Sequence, residues 1–333
     1  MAGKFKRLAY FFTIYTSMLG DFRRQRQFLK KNIEPKLSDY SQKNDGSLDK
    51  EDFHKIMKYY GFGVPAIVGE GFCTLRGKRM TENERIASTG QGVITGLYDD
   101  FFDKTGMATT QIREMMENPF TFTPASSLES IFIEYLRTIH KTAHDTDALN
   151  NAFERVFNIQ VESQLQQNHD VDQESLLRLT LDKGAYSLLF YRSIYQHPMI
   201  EGEQDAIYQV GGLMQLANDL FDVYEDSRQG INTIVTNSPK IEALRSIFLN
   251  QRKIAFASIK RLEYPGDNKK FFLGKLSLGL SRCLVCLDQL EQLEIMNNNS
   301  FDPIRHQRRE LICDMEKWVN LFRSFLYYMN TKI

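Results

Sequence analysis

Net charge, cysteine and long apolar runs are all scarce in this chain of 333 residues. No unbroken apolar stretch reaches the roughly 18 residues that cross a bilayer, so no membrane span is expected. The 42 Lys and Arg residues cancel the 42 Asp and Glu residues, which excludes a long-range basic field for nucleic acid and an acidic solvating tail alike. Four cysteines (Cys73, Cys283, Cys286, Cys313) are too few and too scattered for a small disulfide scaffold. Cys283 and Cys286 form a C-x-x-C inside the helical apolar pattern LGLSRCLVCLDQLEQL, without a second pair, and read as small buried hydrophobes. There is no repeat, low-complexity tract or Pro/Gly/Ser linker, and no stretch alternates apolar and polar residues between turn dipeptides as a strand would. A Gly-rich phosphate loop, a nucleophile elbow and a dinucleotide-binding fingerprint are also missing.

What the chain has in quantity is helical periodicity. Apolar residues recur with a period near 3.6 over about 4–33, 48–60, 64–76, 81–105, 108–117, 126–143, 146–168, 172–196, 200–228, 239–261, 267–297 and 302–330. Thr81 with Glu84, and Ser126 with Glu129, have capping-box spacing. Ser238-Pro239 and Asp302-Pro303 place a capping side chain before a proline at the first helical position. An all-α fold is expected. The N-terminal stretch resembles a signal peptide, but Tyr and Thr interrupt it and Arg23, Arg24 and Arg26 follow at once. Leu8, Phe11, Phe12, Tyr15, Met18 and Leu19 instead share one helix face, which suits an amphipathic helix of a cytoplasmic protein touching a membrane surface. The organisation expected is a helix and turn over 1–46 and one helical domain over 47–333. SQKNDGSLDKED (41–52) imitates a calcium loop, with Gly46 at its sixth position. Ser41 and Lys43 stand where ligands belong, so a polar turn leading into a helix is the better reading.

Two acidic clusters carry the chemistry. In YDDFFD, Asp99 and Asp103 are i and i+4 and share a helix face, with Asp100 about 100° away. In NDLFDVYED, Asn218, Asp222 and Asp226 fall at i, i+4 and i+8 along one ridge. Like charges stacked this way destabilise a helix unless they are solvated or neutralised. Both clusters are embedded in apolar residues (Tyr98, Phe101, Phe102, Leu220, Phe221, Val223, Tyr224), so a cation is expected, and hard oxygen ligands favour Mg²⁺. Gly92, Thr95 and Gly96 lie one and two turns below Asp99, as Gly211, Met214 and Gln215 do below Asn218. These six are expected to line a pocket.

YDDFFD resembles the aspartate-rich DDxxD motif of the class I terpenoid synthases, and NDLFDVYED resembles their second metal motif, with Asp222 where Ser or Thr is usual and Asp226 where Glu is usual. The motifs stand 119 residues apart. GGLMQLANDLFDVYEDSRQG is also similar to the second motif of squalene and phytoene synthases, with Phe221 and Ile231 in place of arginines. The arginine pair that follows DDxxD in chain-elongating prenyltransferases is missing. The resemblance implies a single-domain α-helical bundle with a central active-site cavity. It implies a terpene synthase that binds about three Mg²⁺ ions, ionises a linear polyprenyl diphosphate, and cyclises or deprotonates the carbocation. A head-to-head synthase or a chain-elongating prenyltransferase is the alternative. By the same resemblance Arg178, Asp182 and Gly184 stand where a diphosphate-sensing arginine, a linker acid and a glycine are expected, with the glycine one residue further from the acid than in the family. Lys183, the competitor of Arg178, and Arg228 are further diphosphate ligands that it implies. Arg323 and Tyr327 stand near where microbial cyclases carry an Arg-Tyr pair. A homodimer is a further expectation; a nucleic-acid partner is not.

Overall fold

The computed structural model describes residues 2–167 and 171–333; the side chains of residues 2–4 and 103 lie outside the described set. Among the described residues 77% are helical and none forms a strand, which makes the chain all-α. The helices are α1 (Ala2–Asn32), α2 (Glu34–Gln42), α3 (Lys50–His54), α4 (Tyr60–Gly63), α5 (Glu70–Arg76), α6 (Glu82–Asp103), α7 (Thr109–Glu117), α8 (Ser127–Thr142), α9 (Thr146–Ser163), α10 (Gln173–Arg192), α11 (Glu203–Gln229), α12 (Ile241–Arg261), α13 (Gly266–Met296), α14 (Arg308–Leu311) and α15 (Trp318–Asn330).

Local chemistry explains most of the starts and several departures from the periodicity. Thr81 accepts from Glu84 N, and the Glu84 carboxylate accepts from Thr81 N at 2.9 Å, closing a capping box on α6. Asp49 and Asp52 do the same for α3. Ser126 caps α8, but the Glu129 carboxylate accepts from Ala125 N and Ser126 Oγ instead of from the Ser126 N–H. Residues 1–46 hold two helices rather than one, because Pro35 falls in the first turn of α2, where no intrahelical N–H is required. The polar turn before α3 forms as expected: Asn44 Oδ1 accepts from Gly46 N and Leu48 N, and Asp45 accepts from Ser47 and Ser127. Those bonds hold the Asp45 carboxyl down at about 2.

Between α3 and α5 the turns widen to π-helix at Lys55–Tyr59 and Val64–Gly69. Pro65 lacks the N–H that a tight turn needs. Two further expectations are corrected. Helix α12 begins at Ile241, not at Pro239, because Ile241 N donates to Glu294 Oε2 at 2.8 Å. Residues 302–330 do not form one helix. Asp302 caps only a 3₁₀ turn (Pro303–Arg305), and Gln289 Nε2 donates to the carbonyls of Glu310 and Ile312 that the next turn of α14 would use. The half-buried ring of His140 stacks on Phe153, and burial lowers its proton affinity.

The chain divides into two compact units. The N-terminal unit comprises Thr13–Glu154 and Phe190–Pro198; the C-terminal unit comprises Met1–Phe12, Arg155–Leu189 and Met199–Ile333. In the N-terminal unit α6 packs on α8, where the rings of Phe101 and Phe132 meet edge-on at 5.0 Å, and Val93, Leu97, Ile131 and Ile139 of the two helices are also buried. Each such side chain stabilises the fold by about 1.5–3 kcal/mol. Gln25, fully buried, donates to Gly61 O and Thr89, and Arg85 bridges Gln25 to Glu70. In the C-terminal unit α11, α12 and α13 pack on one another and α15 packs on α13. Helices α10 and α11 cross at a glycine pair. A Cβ on Gly184 would lie 2.2 Å from Gly211 O, and one on Gly211 would lie 2.4 Å from Gly184 O.

That crossing generates a prediction. Gly184→Ala and Gly211→Ala should each destabilise the fold by about 1–3 kcal/mol, because backbone would have to shift. Gly279→Ala, on an exposed face of α13 with nothing within 4 Å, should be neutral or stabilising by about 0.5–1 kcal/mol. Thermal unfolding followed by circular dichroism measures all three, and equal midpoints would contradict the close approach.

Candidate functional site

Both acidic clusters occupy the last turns of long helices, α6 and α11. The helix dipole is negative in the last turn, so the carboxylates nearest the ends, such as Asp100 and Asp226, gain nothing from it and a cation is favoured there. The two clusters resolve this tension differently.

On α6, Asp100 is 3% exposed and has its charge met inside the protein. Lys55 Nζ lies 3.0 Å and Lys104 Nζ 3.3 Å from its carboxylate. The same lysines reach Asp52, whose proton affinity is raised first by burial and then by Asp100. Asp99, a residue earlier and half-buried, has no hydrogen-bond or ion-pair partner among the described residues. Its neighbours are aromatic. Burial and the Asp99 charge together hold the Tyr98 phenol protonated. Tyr191 Oη donates to Thr95 Oγ1 at 3.1 Å, and Thr95 donates to Gln91 O. Asp103 lies one turn beyond Asp99, and its side chain is outside the described residues.

On α11 the carboxylates lack that compensation. Asn218 is exposed and donates to Asp222 Oδ2 at 2.6 Å, as expected of i, i+4 neighbours. Asp226 is pushed up to about 8, chiefly by burial and then by the charges of Asp219 and Asp222, against the pull of Lys183. Burial raises Asp222 too, opposed by the Asn218 hydrogen bond. Asp219, which the motif spacing passed over, is the most buried of the three at 4% exposure. Burial pushes it up to about 6, although it accepts from Gln215 Nε2 at 2.8 Å and Thr180 Oγ1 at 3.0 Å. Asp219, Asp222 and Asp226 follow one another at i, i+3 and i+7, which makes them one electrostatic group. The signal for Asp219 was in the sequence: Gln215 precedes it by one turn.

The basic residues fall into five settings. Lys183 of α10 is close enough to the α11 carboxylates to oppose their protonation. Arg178 is half exposed and held by Glu162 and by Asp182, which also accepts from Tyr208. Arg228 donates to His306 O at 2.9 Å and stacks on Tyr224. Arg308 stacks on the same ring and lies 3.7 Å from Glu225, a second arginine that sequence spacing did not reveal. Arg323 and Tyr327 both bind Asp288, which also takes Arg245. Arg76 is committed to a buried bidentate pair with Glu84.

Three of the expected pocket-lining residues meet backbone or side chain instead of open space. A Cβ on Gly92 would lie 2.4 Å from Tyr60 O, one on Gly96 would lie 3.2 Å from Lys55 Cβ, and Gly211 meets Gly184. These glycines permit close helix crossings. Thr95 and Gln215 are engaged by the hydrogen bonds above, and Met214 is half-buried.

Among the described residues no three His, Cys, Asp or Glu side chains converge as a preformed metal cage. Mg²⁺ does not need one, since it is held by one or two carboxylates together with water and substrate phosphate. The oxygen donors of α11 fit that mode, because their charge is otherwise unmet.

Carboxylates whose folded proton affinity exceeds the unfolded one stabilise the fold below the unfolded value, near pH 4, and lose that contribution as pH rises through the folded value, here about 6 for Asp219 and about 8 for Asp226. In the presence of EDTA, Asp226→Asn should therefore unfold at nearly the wild-type temperature at or below pH 4, and at a progressively higher temperature than wild type as pH rises to 8. Adding Mg²⁺ should raise the wild-type midpoint more at pH 8 than at pH 5. Parallel pH profiles for the two proteins would contradict this charge distribution. No family model matches this chain, and no curated protein matches it.

Proposed function

We propose that the chain is a Mg²⁺-dependent class I terpene synthase, an α-helical bundle of that type with an active-site cavity. It would ionise a linear polyprenyl diphosphate and cyclise or deprotonate the resulting carbocation with release of diphosphate. The observation that carries the proposal is the run of under-compensated carboxylates on α11, at the spacing of the second metal motif, with the unpartnered Asp99 of the first.

Asp99, Asn218, Asp222 and Asp226 would hold the ions, with Asp103 completing the first motif. Bound Mg²⁺ supplies the positive charge that offsets negative charge building on the diphosphate as the allylic C–O bond breaks. Lys183 and Arg228, with Arg308 beside it, would bind diphosphate oxygens. Arg178 would sense the diphosphate through the contacts it shares with Asp182, one residue before Lys183 and two before Gly184. The aromatic surroundings of Asp99 would exclude water and leave π faces for a cation. The exposed Trp318, Val319 and Phe322 on α15, with Phe5 on α1, support contact with a membrane surface, where aromatic side chains are at home. No helix among the described residues is long and apolar enough to cross a membrane.

The Gln215–Asp219 hydrogen bond favours a second reading, because a glutamine before the second motif is also the pattern of condensing and chain-elongating enzymes. One panel separates the two. Geranyl, farnesyl and geranylgeranyl diphosphates are each incubated with Mg²⁺, alone and with isopentenyl diphosphate, and products are identified by gas chromatography. A hydrocarbon or alcohol from a single substrate is expected. Product formed only with isopentenyl diphosphate, or carrying twice the substrate's carbon count, would replace the first reading with the second. Asp99→Ala and Asn218→Ala should each lower turnover by at least about 100-fold with helicity intact; unchanged turnover in either would misplace the site.

A further inference from the structure

The C-terminal unit contains a cleft of about 650 Å³ that shares no residue with the α11 ridge. One wall is a face of α12 bearing Arg245, Leu249, Arg252, Lys253, Phe256 and Lys260. Tyr327, Asn330, Thr331 and Lys332, at the end of α15 and just beyond it, form the other wall, with Leu284 of α13 between. Of the lining residues, five are cationic and none is a carboxylate. Arg245 has its charge met from outside the lining by Asp288 and Glu291, each at 2.9 Å. The other four, Arg252, Lys253, Lys260 and Lys332, have no carboxylate partner among the described residues.

In a chain whose formal charges sum to zero, four uncompensated cations around one hollow are a concentrated positive field. Arg252 is the most telling of them. Its guanidinium is half-buried without an acid, and burial alone lowers its proton affinity. Leaving a guanidinium so placed is costly unless an anion completes it. Beside the cations Leu249, Phe256, Ala257 and Leu284 offer an apolar strip, and the volume lies within the range that holds a small ligand.

We infer that this cleft binds a phosphorylated amphiphile, its phosphate or diphosphate head against Arg252, Lys253 and Lys260 and its hydrocarbon tail along Leu249, Phe256 and Leu284. Arg252 supplies a planar fork of donors matched to phosphate oxygens, and the flanking lysines supply charge. The site needs no metal and makes no use of the acidic motifs, so it stands or falls separately from the proposed synthase activity.

The test uses the full chain in EDTA, which removes Mg²⁺ from the acidic ridges, with decyl phosphate titrated by calorimetry. Saturable binding is expected, with inorganic phosphate and decanol each binding at least about tenfold more weakly. Arg252→Gln and the double variant Lys253→Gln/Lys260→Gln should each weaken decyl phosphate by about tenfold or more, and the double variant covers the case in which Arg252→Gln fails to fold. Sedimentation with phosphatidic acid vesicles, against phosphatidylcholine vesicles, distinguishes the sources. Binding lost in Arg252→Gln assigns the cleft to a lipid headgroup, and no vesicle binding with decyl phosphate retained assigns it to a free ligand; either upholds the site. Absence of decyl phosphate binding, equal affinity for inorganic phosphate, or unchanged affinity in folded variants would overturn it.

Discussion

Three carboxylates on one helix, drawn out of water with Lys183 as the cation that opposes protonation of Asp219 and Asp226, impose the strongest electrostatic demand among the described residues. Near neutral pH such a group either keeps protons or recruits a cation. The helix cannot relieve the strain itself, because its dipole is negative at that end. Packing holds the carboxylates in place: Leu216, Leu220 and Val223 are buried on the same stretch of α11, and Cys286 of α13 donates its thiol hydrogen to Leu220 O. The apolar residues that stabilise α11 therefore also keep its acids close together.

The α6 cluster makes the contrast useful. There Lys55 and Lys104 neutralise Asp100 from within the protein, so the same residue type in a similar motif becomes a structural ion pair. Among the described side chains of the cluster Asp99 is left over. A pair of adjacent aspartates thus divides into one that holds the fold and one that is free to act, and the division is set by a lysine 45 residues away in sequence.

Much of the fold was legible because helices announce themselves locally. Thr81–Glu84 and the apolar rows of α6, α8 and α13 specify their own starts and faces. What was not legible depended on distant partners. Glu294 decides where α12 begins and Gln289 decides where α14 ends, and neither is adjacent in sequence to the turn it controls. The site shows the same limit. Spacing put Asn218, Asp222 and Asp226 on one ridge, but not the burial that makes Asp219 the deepest of the acids. Likewise a glycine two turns below an acidic motif reads equally as pocket wall or helix contact, and the position of Tyr60 O decides for Gly92.

The basic cleft on α12 and the acidic ridge on α11 belong to the same unit and are opposite in sign, so a neutral chain has sorted its charge instead of mixing it. The central claim is that the α11 acids await Mg²⁺ together with a diphosphate. Calorimetric titration of Mg²⁺ with inorganic diphosphate near pH 7.5, repeated in buffers of different ionisation enthalpy, measures it most directly by counting the protons exchanged. The account predicts binding with net proton release that is diminished in Asp226→Asn. No binding, or the same proton count in the variant, would contradict it.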